Sequence, residues 1–513
     1  MTRTCLSLLA AAALLAGCAT NPVTGEKDFM LVSESQELSI GKQNYSPLRQ
    51  SQGGDYVADP QLQAYVNEVG QKLAAVSDRK LPYEFHVINN SVPNAWALPG
   101  GKIAINRGLL VELDSEAELA AVLGHEVTHA AAKHSAQQMS RGMVMQGAVL
   151  ATVVATHDSN YAQLAQLGAG LGAQLITQRY GRDAEREADY YGMKYMSLSG
   201  YDTQGAVDLQ KTFVKLSEGR RQDFLSGLFT SHPPSQERVQ NNIRTLSQYP
   251  PSGNGGRKTY KTKIARLEKT RPAYKAYDEG RKALADDDLK TAKALAQKAI
   301  RIEPREAHFH ALLGDVEREK GNPHTALKHY DKAIRLHDHF FYYYLRKGLV
   351  NESLGRRAQA KQDLDASIRL LPTANAYNVL GNIARKERRF DEAKAYYEKA
   401  AQDKTAVGKE AFGSLVELDL PDNPGRYLKV RAGIDDRGRT LARVVNNTPR
   451  PVTDIVVAAE FRDKSGRTYS RKVRLRGTLP PGKSATVDLG LDNLDKKVRR
   501  TLRTGVIQAE LAD

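Results

Sequence analysis

Three residues in one short run, His125, Glu126 and His129, carry the densest chemistry in this 513-residue chain. They form the pattern H-E-x-x-H. On a helix, positions i and i+4 differ by about 40° around the axis, so both imidazoles project from one face and can share a metal ion. Glu126 stands beside them, placed to take a proton from a water that such a metal polarises. A catalytic zinc site usually has three protein ligands and one open position, so this run is one ligand short. Downstream, Glu185 and Asp189 lie four apart on one helix face, with Ala188 and Gly192 small enough to let a second helix approach closely. Glu185 can supply the third ligand. Asp189, one turn on, can hold the second nitrogen of a ligand histidine and fix its tautomer. Glu187 points about 200° away from Glu185 and is left out of the set.

These side chains need stiff elements beneath them. Ser115 with Glu118 reads as a capping box, and Leu119, Val122, Leu123 and Val127 form an apolar stripe along an Ala-rich helix. Upstream, an amphipathic helix is expected from Asp59 (Leu62, Tyr65, Val66, Val69, Leu73), then a strand from Tyr83 to Ile88. The Pro99-Gly100-Gly101 turn leads into a further short strand. An exposed strand edge there is expected to pair with an extended substrate backbone. Residues 143–156 are apolar and rich in small residues, too short for a membrane span, and read as a buried helix or a lid.

Taken together, His125-Glu126-x-x-His129, Glu185-x-x-Ala188-Asp189, the Asn94 to Gly101 stretch, and Ser231-His232-Pro233-Pro234 with Arg238 resemble the CAAX-prenyl-protease, HtpX and BepA family of gluzincin metalloproteases. The likeness covers about residues 21–250. It implies an α+β zincin fold and a zinc metalloendopeptidase with one Zn²⁺ per chain. The ions' ligands would be His125, His129 and Glu185, with Glu126 as general base and Asp189 as a supporting residue or proton donor. The soluble branch fits best, because no 18-residue apolar run follows the leader. That departure argues against processing of prenylated peptides. The resemblance also brings His232 near the metal, on a turn stiffened by Pro233 and Pro234. Three roles stay open for it: an ordinary imidazole, a hydrogen-bond donor to the oxyanion, or a fourth zinc ligand that gates water access.

The only cysteines are Cys5 and Cys18, both in the leader, which excludes a disulfide framework. Arg3, the apolar run Leu6 to Leu15, and Leu15-Ala16-Gly17-Cys18 read as a secretory signal ending in a lipobox, with Cys18 lipidated. Ala19 after it resembles the outer-membrane sorting pattern. The expected place is the outer membrane of a Gram-negative bacterium, facing the periplasm, anchored by lipid. Net charge is +16, yet residues 1–250 hold 21 Lys+Arg against 24 Asp+Glu, and residues 251–513 hold 54 against 35. The catalytic half is thus near neutral and the second half basic. In a periplasmic protein that charge does not indicate nucleic acid.

Beyond residue 250 the chain repeats. Ala292, Ala326, Ala360 and Ala393 recur every 33–34 residues, as do Gly314, Gly348 and Gly381. That helical period is the tetratricopeptide signature, although the family's Trp is missing; such repeats stack into a solenoid with a groove for a protein partner. Tyr342, Tyr343 and Tyr344 are either packing residues or groove contacts. From about Arg426 the pattern turns to period two, as in a small immunoglobulin-like β-sandwich whose outward Lys and Arg are solvated or face anionic lipid. The expected architecture is multidomain. It comprises a lipoprotein signal peptide (1–17), a lipidated tether (18–54), the α+β metalloprotease domain (55–250), a linker (251–272), about four helical repeats (273–405), and the β-sandwich (426–513). The expected function is zinc-dependent hydrolysis of peptide bonds, and the family resemblance implies stalled or misfolded envelope proteins, outer-membrane proteins among them, as substrates. The alternative is a repeat-based chaperone or assembly scaffold with only occasional proteolysis.

Overall fold

In a computed structural model, residues 18–145, 180–219, 228–249, 255–463, 465–492 and 494–512 are described. The signal peptide and residues 146–156 of the apolar stretch lie outside them. The chain divides between Tyr343 and Tyr344 into two compact units.

The first unit is built on a three-stranded sheet, β3 (Glu84–Ile88), β4 (Ala95–Leu98) and β5 (Lys102–Asn106), in the order β3-β5-β4. β3 runs parallel to β5 and β4 antiparallel to it. The tight β4–β5 connection requires positive φ at Gly100 (+78°) and Gly101 (+80°), which glycine adopts without steric cost. Two helices precede the sheet: α1 (Glu34–Ser51) and α2 (Pro60–Ala75). α2 starts where Asp59 accepts from the amides of Gln61 and Leu62. It buries Leu62, Tyr65, Val66, Val69 and Leu73, the stripe expected of it. A one-turn helix, α3 (Arg107–Leu110), leads to α4 (Glu116–Ala131), followed by α5 (His134–Met145), α6 (Arg182–Leu198), α7 (Gln204–Gly219), α8 (Leu228–Ser231) and α9 (Gln236–Leu246).

Three local expectations are corrected. Residues 18–54 are not a loose tether. A two-stranded hairpin, β1 (Cys18–Thr20) with β2 (Lys27–Phe29), precedes α1. In α1, Ile40, Tyr45 and Leu48 are buried against Trp96, Leu98 and Ala104. Ser33 and Gln36 form a capping box at its start. Nor are residues 257–272 linker: α10 (Arg257–Lys263) and the start of α11 (Ala265–Ala285) bury Tyr260 and Leu267 in the same core as α2 and α4, and Tyr260 donates to the carbonyl of Leu110 at 2.6 Å. Lastly, β4 is an edge of its sheet, but all four of its residues are buried, so the edge is not open to solvent.

The repeats appear as antiparallel helix pairs: α11 with α12 (Leu289–Ile302), α13 (Ala307–Glu319) with α14 (Pro323–Leu336), α15 (Phe341–Ser353) with α16 (Arg357–Leu370), and α17 (Ala374–Lys386) with α18 (Phe390–Ala400). The 33–34-residue glycine rhythm has a steric cause. An added Cβ at Gly314 would meet the Tyr330 ring at 2.7 Å, and one at Gly381 the Tyr397 ring at 2.6 Å. Tyr343 is fully buried, the packing role of the two considered.

In the second unit, after α19 (Ala406–Asp419), six strands form two three-stranded antiparallel sheets. β6 (Leu428–Ile434) and β7 (Arg439–Asn446) pair, as do β8 (Val452–Arg462) and β9 (Thr468–Arg474); β10 (Ser484–Asp492) then returns to β7 and β11 (Arg503–Leu511) to β8. Val444 and Leu489 from one sheet share a core with Val457 and Ala509 from the other.

Candidate metal centre

α4 begins at Ser115, whose hydroxyl accepts from the amide of Glu118 at 3.1 Å. The Glu118 carboxylate reaches back to the amide of Asp114, one residue beyond the capping residue itself. Sequence suggested one apolar stripe, yet every residue from Ala117 to Ala131 is buried, because α2, α6 and α7 surround the helix. α6 approaches at backbone distance. An ideal Cβ on Gly192 would stand 3.1 Å from the amide nitrogen of His125, and one on Gly124 would stand 3.1 Å from the carbonyl oxygen of Gly192. This contact between two glycines lets α6 lay Glu185 and Asp189 against the histidine face of α4.

His125, His129, Glu185 and His232 each offer one ligand atom, and these atoms lie within 4.8 Å of one another. His125 Nε2 is 3.0 Å from His129 Nε2 and 3.2 Å from His232 Nδ1. The Glu185 carboxylate lies 2.8 Å from His232 Nδ1, 3.5 Å from His129 Nε2 and 3.6 Å from His125 Nε2. Tetrahedral zinc with bonds of about 2.0–2.2 Å separates neighbouring ligand atoms by roughly 3.3–3.6 Å. The donor set suits a single zinc ion; the Glu185 separations from His129 and His125, at 3.5 and 3.6 Å, match that spacing, and the three of 2.8–3.2 Å would open by a few tenths of an ångström around it. Two imidazole nitrogens facing at hydrogen-bond distance share at most one proton, so three such nitrogens around one carboxylate are a natural cation cradle.

Around this cluster the supports are explicit. Asp189 Oδ1 lies 3.0 Å from His125 Nδ1, the contact expected for fixing the tautomer of that ring. Arg238 on α9 donates to both oxygens of Asp189 at 2.7 and 2.8 Å and lies 2.9 Å from Glu185. Burial alone would push the pKa of the Asp189 and Glu185 carboxyls up. Arg238 and His125 together outweigh it for Asp189, and His232, Arg238 and His129 together outweigh it for Glu185, so both carboxyls are held below their ordinary range. Glu126 is different. It is buried beside the cluster, and burial holds its carboxyl above the ordinary value despite the opposing pull of His232 and His125. Its Oε2 has no hydrogen-bond partner.

His232 sits behind α8 on its proline turn, fully inside the cluster, with Nε2 3.7 Å from Glu126. Its ring groups with the other three candidate ligands. Two further residues were missed in the sequence. Tyr180 stacks on His129 at 4.0 Å between ring centroids and shares a 2.9 Å hydrogen bond with Ser135. His134, five residues after His129, has its Nδ1 2.8 Å from His129 Nδ1; the spacing H-x-x-x-x-H was the only available hint. Glu187, set aside on helical phase, indeed does not join the cluster. Cys18 lies in β1, remote in sequence from these residues. Among the described residues, no helix is long and apolar enough to cross a membrane.

Comparison with known proteins agrees with this geometry. The profile of peptidase family M48 matches residues 60–245, and tetratricopeptide-repeat profiles match residues 277–339 and 374–402. A putative beta-barrel assembly-enhancing protease of Vibrio cholerae is 30% identical over 262 residues, covering 49% of this chain and 53% of that protein. The mitochondrial metalloendopeptidase OMA1 of Schizosaccharomyces pombe is 30% identical over 240 residues, covering 46% of this chain and 68% of that protein. The metalloprotease YcaL of Escherichia coli is 27% identical over 252 residues, covering 47% of this chain and 95% of that protein. The chain thus spans about half the length of the assembly-enhancing proteases it matches.

Proposed function

Since the chain belongs to peptidase family M48, we propose that it is a zinc endopeptidase in which His125, His129 and Glu185 hold the metal and Glu126 moves the proton. Bound there, zinc would supply Lewis acidity to water and to the scissile carbonyl. Glu126 accepts the proton of the attacking water on its partnerless oxygen and returns it to the leaving amine. Asp189, clamped by Arg238, keeps His125 presenting Nε2. His232 would be the fourth residue to hold the metal and would close the centre at rest, and its turn would then have to move before a substrate carbonyl could enter. The observation that carries the reading is the convergence of four ligand atoms within 4.8 Å beside a buried carboxylate that is not one of them.

The names of the bacterial relatives support a substrate class of envelope proteins, with the repeats as the surface that engages a protein partner. The leader sequence supports lipidation at Cys18 and an outer-membrane, periplasm-facing position. Glu126→Gln tests the catalytic assignment: peptide cleavage should fall by at least about 100-fold while zinc stays near one per chain. Persistent hydrolysis in zinc-loaded variant would remove Glu126 from the mechanism. Cys18→Ser should release the protein from the membrane fraction, and retention through high-salt washing would refute the lipid anchor.

A further inference from the structure

His125 and His129 are both ligand candidates, but their far nitrogens are held differently. Behind His125 stands a carboxylate, Asp189. Behind His129 stands another imidazole. His134 Nδ1 lies 2.8 Å from His129 Nδ1, and both rings are buried. Only one of two facing ring nitrogens can carry the proton. If His134 donated, His129 would have to carry its own proton on Nε2, the nitrogen that faces the cluster. The arrangement compatible with a metal on His129 Nε2 is therefore unique: His129 donates from Nδ1 and His134 accepts. His134 then carries its proton on Nε2. That nitrogen is buried and makes no hydrogen bond within ordinary geometry, yet Glu187 Oε1 stands 3.4 Å away.

Glu187 in turn is held from the N terminus. Asn21 Nδ2 donates to Glu187 Oε1 at 3.0 Å and to Asp28 Oδ2 at 3.2 Å, and Gln137 Nε2 donates to Asp28 Oδ2 at 2.6 Å. Asn21 is buried at the turn of the β1–β2 hairpin, where its own backbone closes the turn with Gly25 and Glu26. Beside it, Val23 packs on Ala131 and Ala132 at the end of α4. A hairpin that begins at Cys18 thus reaches the metal centre through a chain of polar contacts: Asn21, Glu187, His134, His129.

We infer that His134 is a positioning residue for the zinc ligand His129, and that Glu187 and Asn21 hold it, which makes the hairpin at residues 18–29 part of the metal centre. The inference rests on the zinc reading above. It explains why Glu187, on the same helix as Glu185 but pointing elsewhere, is drawn toward the start of α5. It also gives the hairpin next to Cys18 a task besides connecting a leader to a domain.

The test is zinc affinity of the full-length protein, measured by competition with a chromophoric chelator, with no assay of cleavage involved. His134→Leu should weaken zinc binding about 10–100-fold, the usual effect of removing the group behind a ligand histidine. His134→Asn puts an amide oxygen where Nδ1 was and should restore affinity to within about threefold of the original. Asn21→Ala and Glu187→Gln should each weaken it by a smaller factor, in the order Glu187 then Asn21. Folding of each metal-free variant is checked by its cooperative melting. His134→Leu binding zinc as tightly as the unaltered protein would overturn the inference while leaving the zinc reading intact, and so would His134→Asn being as weak as His134→Leu. If the unaltered protein binds no zinc, both fail together. Nitrogen-15 spectra of His129 give an independent reading: the proton is expected on Nδ1 in the zinc-loaded protein, and a proton on Nε2 would overturn the assignment.

Discussion

Two buried clusters in the first unit use nearly the same side chains for opposite ends. One is the metal centre. The other lies where loops of the protease region meet the first helical repeats, around His308, Glu306, Asn89, Arg107 and Tyr274. At the second cluster every contact is a matched pair. Glu306 accepts from Asn89 at 3.1 Å, from the amide of His308 at 3.1 Å and from Tyr274 at 2.7 Å. Arg107 donates to Asn89 at 2.7 Å and covers the Tyr274 ring at 3.5 Å. One nitrogen of His308 meets the hydroxyl of Tyr343 and the other the carbonyl of Gly53. In the metal centre, by contrast, three imidazole nitrogens face one another and one carboxylate. Histidine, acid and burial are common to both. What separates a site from a weld is whether the lone pairs are already spoken for.

The comparison breaks most sharply on removal of a ligand. Glu185→Ala should lower zinc affinity by well over 100-fold, since it removes the only carboxylate among the four candidate ligands; unchanged affinity in a chelator competition would mean that Glu185 is not a ligand. Next in size is Arg238→Met. It leaves Asp189 and Glu185 without their shared cation, and breaking a buried pair from one side costs about 3–5 kcal/mol. Denaturant unfolding of the metal-free protein should report that loss, and added zinc should recover part of it by binding only the folded state. A metal-free variant as stable as its parent would show that Arg238 does not carry the carboxylates.

At the weld the expected effects are smaller and depend on pH. Burial holds His308 down at about 4, from an ordinary 6.5. The unfolded chain therefore takes up the proton first as pH falls. The stability tied to neutral His308 is complete above pH 6.5 and is lost between 6.5 and about 4, for a total of about 3 kcal/mol. His308→Gln keeps hydrogen-bonding groups without a titration, so the gap between parent and variant should shrink through that window. Parallel pH profiles would remove His308 from the weld's energetics. Smallest of all, Tyr342→Phe deletes one hydrogen bond to Asp315, 2.8 Å long and part-buried, and should cost about 1 kcal/mol in the melting of the repeats.

What could be read without coordinates was whatever the chain writes at short range. His125 and His129 are four apart, Glu185 and Asp189 are four apart, and the repeats recur at 33–34 residues; helical geometry turns each spacing into a shared face. The partners that hold those faces were written at long range. Arg238 reaches Asp189 across 49 positions, and His308 reaches Gly53 across 255. Neither separation has a local period. The two misread connectors teach the same point. Residues 18–54 and 257–272 follow or contain turn-rich, basic or polar stretches, but Tyr45 and Tyr260 bury full rings from them in the protease core. One aromatic side chain aimed inward outweighs a polar composition, and nothing in the local pattern says where it points.

The central claim is that four side chains from three separate stretches converge on one zinc ion, with His232 among them at rest. X-ray absorption at the zinc edge of the full-length protein, paired with His232→Ala, tests it directly. Three imidazole nitrogens and one carboxylate oxygen are expected around zinc, with the variant losing one nitrogen for a water oxygen while keeping its metal. Two nitrogens in the unaltered protein, unchanged by His232→Ala, would contradict it.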